Sequence, residues 1–299
     1  MSGEKTEFDP SKIEIPEPDA SLILAWQVKD KRVLVIGGGE VALSRVNHLL
    51  QANAKITIVA PVFEDVLKYY NELNLFENFI QRKFIKKDLT MYENELTCQK
   101  LNEYKQKILD DEEEEDDDGE EVGANENDEE LFQIINEYQS QRFQLVLTAI
   151  DDHKLSSKIY NYCKLLNLNV NIADKPKICD FYFGSMYRQG FLQIMISSNG
   201  KSPRFCNRLK ENLIKPILNE IDLNNSIKNL NYLRDNLRNN LLIGENNTEI
   251  IKKRMNWNKK ITDQFSIKDW SLMNLNDIEK ILKFYPNIPN CKTLEELRK

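Results

Sequence analysis

The sequence predicts an α/β fold with a parallel β-sheet, followed by a small α+β region and an all-helical C-terminal region. Residues 32–36 are almost entirely apolar, which is typical of a strand buried on both faces of a parallel sheet. Three glycines join this run to a segment with helical periodicity. Short apolar runs follow Asp180, and Leu- and Ile-rich helical periodicity begins near Glu211, so these patterns predict the two C-terminal regions.

The glycine turn is the first candidate site. Gly37, Gly38 and Gly39 precede a predicted helix, and with Ala42 they form the dinucleotide fingerprint G-x-G-x-x-A. Gly37 allows a tight turn, and Gly39 lets the backbone approach a pyrophosphate. Ala42 lets the helix pack close to the strand. The helix N-terminus would offer free N–H groups and a partial positive charge to the phosphates.

Residues 55–60 are the predicted second strand, which completes a βαβ unit. Many NAD sites carry an acid at the end of this strand to bind the ribose hydroxyls. Here Ala60 and Pro61 occupy that position, and Glu64 and Asp65 follow a few residues later. This feature leaves the choice between NAD and NADP open.

An acidic segment interrupts the α/β pattern after a predicted third strand at residues 78–85. Of the 48 acidic residues, 15 lie in residues 110–130, which contain no basic residue. The remaining 33 acids face 41 basic residues, so the rest of the chain carries about +8. We predict that residues 86–130 form a disordered insertion, which is either functional or tolerated by the fold.

Order is predicted to return with a helix at residues 130–139 and a strand at residues 143–150. Asp151, Asp152 and His153 follow this strand, at the carboxyl edge where open α/β folds bind ligands. Asp152 is therefore expected to face the same crevice as the glycine turn. The alternative is that Asp151 or Asp152 caps a helix at residues 154–166. The last strand of this sheet is predicted at residues 169–172.

The smaller α+β region is predicted from apolar runs at residues 181–183 and 191–197. Ser202 is a predicted N-cap, with Pro203 at the first helical position. Lys201, Arg204 and Arg208 cluster around this helix start and suggest an anion site. The alternative is that they are ordinary solvated helix charges.

Several classes of protein are not expected. No run approaches the roughly 20 apolar residues of a membrane helix, and residues 1–20 read as a flexible tail without the apolar core of a secretory signal. The five cysteines form no C-x-x-C pair, so disulfides and structural zinc are not expected. No basic stripe with interleaved aromatic residues indicates nucleic-acid binding. We predict a cytoplasmic protein that binds neither nucleic acid nor membrane.

Five segments in order resemble the fungal-type bifunctional siroheme synthases, which combine precorrin-2 dehydrogenase with sirohydrochlorin ferrochelatase. They are residues 27–42, 55–61, 148–153, 171–183 and 196–204. The most specific are Asn-x-x-Asp-x-Pro-x-x-Cys-Asp-Phe from Asn171 and Ser-x-Gly-x-Ser-Pro from Ser198. The resemblance implies an NAD-binding Rossmann domain at residues 21–175, a dimerisation domain at 176–215 and a helical domain at 216–299. It also implies a homodimer.

The resemblance further implies NAD-dependent oxidation of precorrin-2 to sirohydrochlorin, followed by insertion of ferrous iron, a substrate, to give siroheme. Asp152 matches an aspartate implicated in both steps, and it could contact the iron transiently without a resident metal site. The predicted cofactor contacts are Gly37, Gly38, Gly39, Glu40, Val41, Pro61 and Ala149. The predicted substrate contacts are His153, Asn171, Asp174, Lys201, Ser202, Arg204 and Arg208.

Two other functions stay open at this point. One is a precorrin-2 dehydrogenase without chelatase activity, because no residue in the sequence separates the two activities. The other is a non-catalytic module that senses NAD, which would not need Asp152 in the crevice. His153 is expected either to assist Asp152 or to have a capping or positional role.

Overall fold

The computed structural model describes residues 20–111, 126–239 and 248–299. The predicted flexible tail therefore lies outside the described residues, except for Ala20. The chain folds into two compact units, with the boundary between Tyr182 and Phe183. The division into domains at residues 21–175, 176–215 and 216–299 stays a prediction.

A five-stranded parallel sheet forms the centre of the first unit. Its strands are β1 (Arg32–Ile36), β2 (Lys55–Val59), β3 (Asn78–Ile80), β4 (Phe143–Thr148) and β5 (Asn169–Ile172). They lie in the order β3-β2-β1-β4-β5, and every neighbouring pair is parallel. This strand order reverses direction at β1, so the carboxyl ends of β1 and β4 flank a topological switch point where ligands bind. The predicted α/β fold is confirmed.

In the described part of this unit, five helices connect these strands. They are α1 (Glu40–Gln51), α2 (Asp65–Glu72), α3 (Glu95–Asp111), α4 (Glu126–Ser140) and α5 (His153–Leu165). The central strands β1, β2 and β4 are mostly apolar because both of their faces are covered, and α1 contributes Ala42, Val46 and Leu49 to the core.

The second unit begins with an antiparallel hairpin of β6 (Ser185–Gln189) and β7 (Leu192–Ile196). Helices follow to the end of the chain, as the Leu and Ile periodicity predicts: α6 (Pro203–Leu209), α7 (Lys215–Asn219), α8 (Leu223–Asn239), α9 (Thr248–Gln264), α10 (Ile267–Leu272), α11 (Leu275–Leu282) and α12 (Leu294–Arg298). A π-helical turn, Lys210–Ile214, joins α6 to α7. Trp257, Ile261 and Trp270 are buried in the core of this C-terminal bundle.

The prediction of disorder throughout residues 86–130 is wrong for part of that range. Lys86–Thr90 form a 3₁₀ turn, and α3 and α4 cover further residues on either side. Leu89 is fully buried in the core, and Asp88 accepts hydrogen bonds of 2.8 and 2.6 Å from Arg82. These contacts hold the turn in place. Most of the acidic run, residues 112–125, lies outside the described residues.

The prediction of a strand at residues 181–183 is also wrong, because the hairpin uses the less apolar Ser185–Gln189 instead. Asn171 donates a hydrogen bond of 2.8 Å to the Phe181 carbonyl, and the Phe181 ring contacts Trp26. Residues 181–183 therefore lie outside the hairpin, and Phe181 packs within the first unit.

Two of the expected absences can be examined in the structure. The five cysteines, all of them in the described part of the chain, are free thiols. None of the helices that the structure describes is long and apolar enough to span a membrane.

Candidate functional site

The glycine turn lies at the carboxyl end of β1, against the ends of both neighbouring strands. Gly37 has a φ of +127°, a conformation that side chains disfavour, and a Cβ on it would collide with the Ala149 carbonyl oxygen. A Cβ on Gly38 would collide with the Val62 carbonyl oxygen. Both positions therefore require glycine for packing against the protein itself.

Gly39 differs, because a Cβ on it would meet no atom within 4 Å. Gly39 is the N-cap of α1, and no side chain of the described residues caps this helix. The first N–H groups of α1 therefore carry no side-chain cap from the described residues, which leaves them available to a pyrophosphate. The first-turn residues Glu40 and Val41 are exposed, as is Pro61 after β2, whereas Ala149 is half-buried beneath Gly37. These residues fit a dinucleotide.

Asp152 is the N-cap of α5, at the carboxyl edge beyond β4. Its Oδ1 atom accepts hydrogen bonds of 2.9 Å from the N–H groups of both Lys154 and Leu155. The hydrogen bond from Leu155 is the largest cause that lowers the pKa of this carboxyl, with smaller contributions from the Lys154 N–H and from the charges of Lys154 and Lys158. Asp152 is thus an exposed, ionised carboxylate. The capping alternative is correct for Asp152, and capping leaves Oδ2 without a hydrogen bond from the described residues.

Lys175 connects the loop after β5 to the first turn of α5. Its Nζ atom donates hydrogen bonds to the His153 carbonyl at 2.7 Å and to Ser157 Oγ at 3.0 Å. His153 is exposed at the first position of α5. The backbone of His153 is therefore anchored, while its side chain remains accessible. Lys175 was missed by the sequence predictions, because its partners lie 18 and 22 residues earlier and follow no local pattern.

Asp174, also on this loop, is exposed and has a φ of +59°, which is unusual for a residue other than glycine. Burial lowers the pKa of Arg45 on α1, and the charge of Asp174 opposes this shift without reversing it. The Cys179 thiol donates to the carbonyls of Ile172 and Lys175, at 3.1 and 3.3 Å. These contacts hold the turn that presents Asp174.

The prediction that Asn171 contacts the substrate is not supported by its position. Asn171 is only 6% exposed, and its amide donates to the Phe181 carbonyl. This side chain holds residues 180–181 beside β5, and it is therefore structural.

The remaining predicted residues lie in the second unit. Lys201, Arg204 and Arg208 are exposed near the start of α6, and none of them forms an ion pair with a described residue. Ser202 occupies the N-cap position, but its side chain makes no capping hydrogen bond, and its N–H donates to Ser198 Oγ at 2.8 Å. The predicted N-cap position of Ser202 and the first helical position of Pro203 are therefore confirmed, without a side-chain capping bond, and the anion site stays a prediction.

Three family models match the chain in sequence order. Residues 24–185 match an NAD(P)-binding family. Residues 189–215 match the central region of sirohaem biosynthesis proteins, and residues 220–289 match their C-terminal region. The first match covers more than half of the chain and agrees with the dinucleotide geometry of the glycine turn.

Known proteins match over most of their length. The siroheme biosynthesis protein of Schizosaccharomyces pombe is 32% identical over 279 residues, which cover 92% of this chain and 84% of the relative. The corresponding protein of Saccharomyces cerevisiae is 30% identical, with 91% and 93% covered. The solved structure of SirC, a precorrin-2 dehydrogenase, shares the fold with a TM-score of 0.53 at 16% identity, over 89% of this chain and 100% of that one. Together with the matched segments, these similarities show that the chain belongs to the siroheme biosynthesis protein family.

Proposed function

We propose that this protein oxidises precorrin-2 to sirohydrochlorin with NAD and then inserts ferrous iron to give siroheme. Membership of the siroheme biosynthesis family supports the substrate class. The observation that carries the proposal is the exposed carboxylate of Asp152, which follows a strand end that packs directly against the glycine turn. A reactive carboxylate and a dinucleotide site therefore share one edge of the sheet.

The glycine turn and the N-terminus of α1 would hold the cofactor. The backbone N–H groups at Glu40 and Val41 suit the pyrophosphate, and Gly39 leaves room for its approach. Pro61 and Ala149 would lie beside the bound dinucleotide. When bound, NAD supplies the acceptor for the hydride that leaves precorrin-2.

Asp152 would accept the proton that leaves precorrin-2 in the same oxidation. Its Oδ1 atom is occupied by the helix N–H groups, so Oδ2 is the oxygen available to the substrate. During chelation two pyrrole protons leave as ferrous iron enters the ring. The same carboxylate can accept a proton and briefly attract the divalent ion. We assign His153 and Asp174, exposed at the same edge, to substrate contact.

Precorrin-2 and sirohydrochlorin carry eight carboxylates, and exposed cations are the groups that would bind them. Lys201, Ser202, Arg204 and Arg208 are our candidates, because the three cations have no described acidic partner. We also propose a homodimer formed through residues 176–215. Phe191, Phe205 and Leu213 are large apolar side chains in that range that are more than half exposed in the single chain.

The test is an anaerobic assay in which NADH formation from precorrin-2 and iron insertion into sirohydrochlorin are measured separately for Asp152→Ala. We expect both activities to be lost. Retention of both would refute the assignment of Asp152. Wild-type dehydrogenation without iron insertion above the non-enzymatic rate would establish the dehydrogenase alone, and NAD binding without tetrapyrrole turnover would establish the sensing module.

A further inference from the structure

The ribose end of the dinucleotide site has an unusual composition. In a Rossmann site an acid after β2 binds the ribose hydroxyls of NAD and repels the 2′-phosphate of NADP, whereas a nearby arginine accommodates that phosphate. Ala60 and Phe63, after β2, are buried, and the centre of the Phe63 ring lies 4.0 Å from that of Phe79. Between these two buried residues, Pro61 and Val62 are exposed, and Val62 is 74% exposed.

Contacts with the glycine turn place this loop beside the cofactor site. The Val62 carbonyl lies so close to Gly38 that a Cβ there would collide with it. Two residues later, the Glu64 N–H donates a hydrogen bond of 2.8 Å to the Gly38 carbonyl. Val62 thus occupies the border between the turn that would hold the pyrophosphate and the end of β2.

The charged side chains near this border are mostly committed elsewhere. Asp65 pairs with Lys68 at 2.8 Å on α2. The Arg82 guanidinium, just beyond β3, is held by both oxygens of the buried Asp88. Glu64 is exposed at the N-cap of α2, two residues beyond Val62. Apart from Glu64, the described residues at the end of β2 therefore present neither an acid for the ribose hydroxyls nor a free arginine for a 2′-phosphate.

We infer that the site accepts NADP as well as NAD and that Val62 is the specificity-determining position. An apolar side chain here neither repels the 2′-phosphate of NADP nor forms a hydrogen bond with the free 2′-hydroxyl of NAD, so the two cofactors differ little in affinity. The inference rests on the dinucleotide site of the proposed function, and it does not depend on the tetrapyrrole substrate.

Fluorescence titration of the full chain with NADH and with NADPH tests the inference without turnover. We expect the two dissociation constants of the wild type to agree within about tenfold, and Val62→Asp to weaken NADPH binding by about tenfold or more relative to NADH. Val62→Lys should shift the preference towards NADPH. Val66→Asp, which adds the same charge on exposed α2, is the matched control and should leave the ratio unchanged.

A wild-type preference for NADH above about tenfold would overturn the inference. If Glu64→Gln then removed that preference, Glu64 would be the selecting residue instead. An unchanged ratio in Val62→Asp would refute the role of Val62. Binding of both cofactors without tetrapyrrole oxidation would contradict the proposed function alone, whereas failure of both to bind would contradict both proposals.

Discussion

Helices α1 and α5 of the first unit both begin at the carboxyl edge of the sheet, but a described side chain caps the N-terminus of only one of them. Helix α5 has a built-in anion, because Asp152 accepts hydrogen bonds from two of its first N–H groups. Helix α1 begins at Gly39, and no described side chain caps it. We infer that the positive N-terminal end of α1 is available to the phosphates of a ligand, whereas that of α5 holds the Asp152 carboxylate.

The largest effect on cofactor binding is expected when α1 is given a side-chain cap. Aspartate is a favourable N-cap, and a Cβ on Gly39 meets no protein atom, so Gly39→Asp should fold with an unchanged or higher melting temperature. Its carboxylate would occupy the helix N–H groups and repel a pyrophosphate. We expect NADH affinity in fluorescence titrations to fall by about 100-fold or more.

Gly39→Ala is the matched control for Gly39→Asp. It adds the same Cβ without the charge, and the open space around Gly39 predicts a smaller loss of affinity. Wild-type affinity in Gly39→Asp would show that the N-terminus of α1 does not hold the phosphates.

At α5, replacing Asp152 with asparagine distinguishes the effect of capping from the effect of charge. Both Asp152→Asn and Asp152→Ala should reduce the rate of precorrin-2 dehydrogenation by about 100-fold or more, because neither side chain accepts the proton. Asparagine is a good N-cap and alanine is a poor one. Asp152→Ala should therefore show a larger decrease in melting temperature than Asp152→Asn. Equal melting temperatures together with full activity would indicate that Asp152 has neither role.

A smaller effect is expected from Lys175, which we regard as a positioning residue. Lys175→Met removes the hydrogen bonds to His153 and Ser157, so the first turn of α5 and the Asp152 carboxylate should be held less firmly. We expect kcat for dehydrogenation to fall by about tenfold while the KM for NAD stays unchanged. In an Asp152→Asn background the same change should have little further effect.

Lys177→Met is the control for Lys175→Met, since Lys177 is exposed on the same loop. Lys175→Arg should recover part of the lost rate. A parallel fall in kcat, NAD affinity and melting temperature would indicate a general structural role for Lys175 instead.

The contrast between the two helices also explains what the sequence could predict. The bounds of β1 and the start of α1 follow from the apolar run and the glycines alone, because local backbone stereochemistry and burial decide them. The capping of α5 by Asp152 was one of two predicted alternatives, since N-capping is also a local rule. Capping and chemistry prove compatible, because they use different oxygens of one carboxylate.

Residues 86–111 show where such reasoning fails. Their composition is polar, yet Leu89 reaches the core and Arg82 pairs with Asp88. Thr97 on α3 donates a hydrogen bond of 2.9 Å to Glu137 on α4, 40 residues later. These contacts join residues that are far apart in sequence, and no local pattern in the sequence predicts them. The hydrogen bonds of Lys175 were missed for the same reason.

The smallest expected effect is the pH dependence of the stability that Asp152 contributes. The pKa of Asp152 is lowered in the folded protein, first by the Leu155 N–H, so its stabilising contribution is present above the ordinary aspartate pKa and is lost as pH falls towards the folded value. Wild type should have a higher melting temperature than Asp152→Asn at neutral pH, and the difference should shrink below about pH 5. Asp151→Asn, one residue earlier, is the matched control and should show no such trend, because the capping bonds of α5 go to Asp152. A difference in melting temperature that does not change with pH would show that the charge of Asp152 does not contribute to the capping of α5.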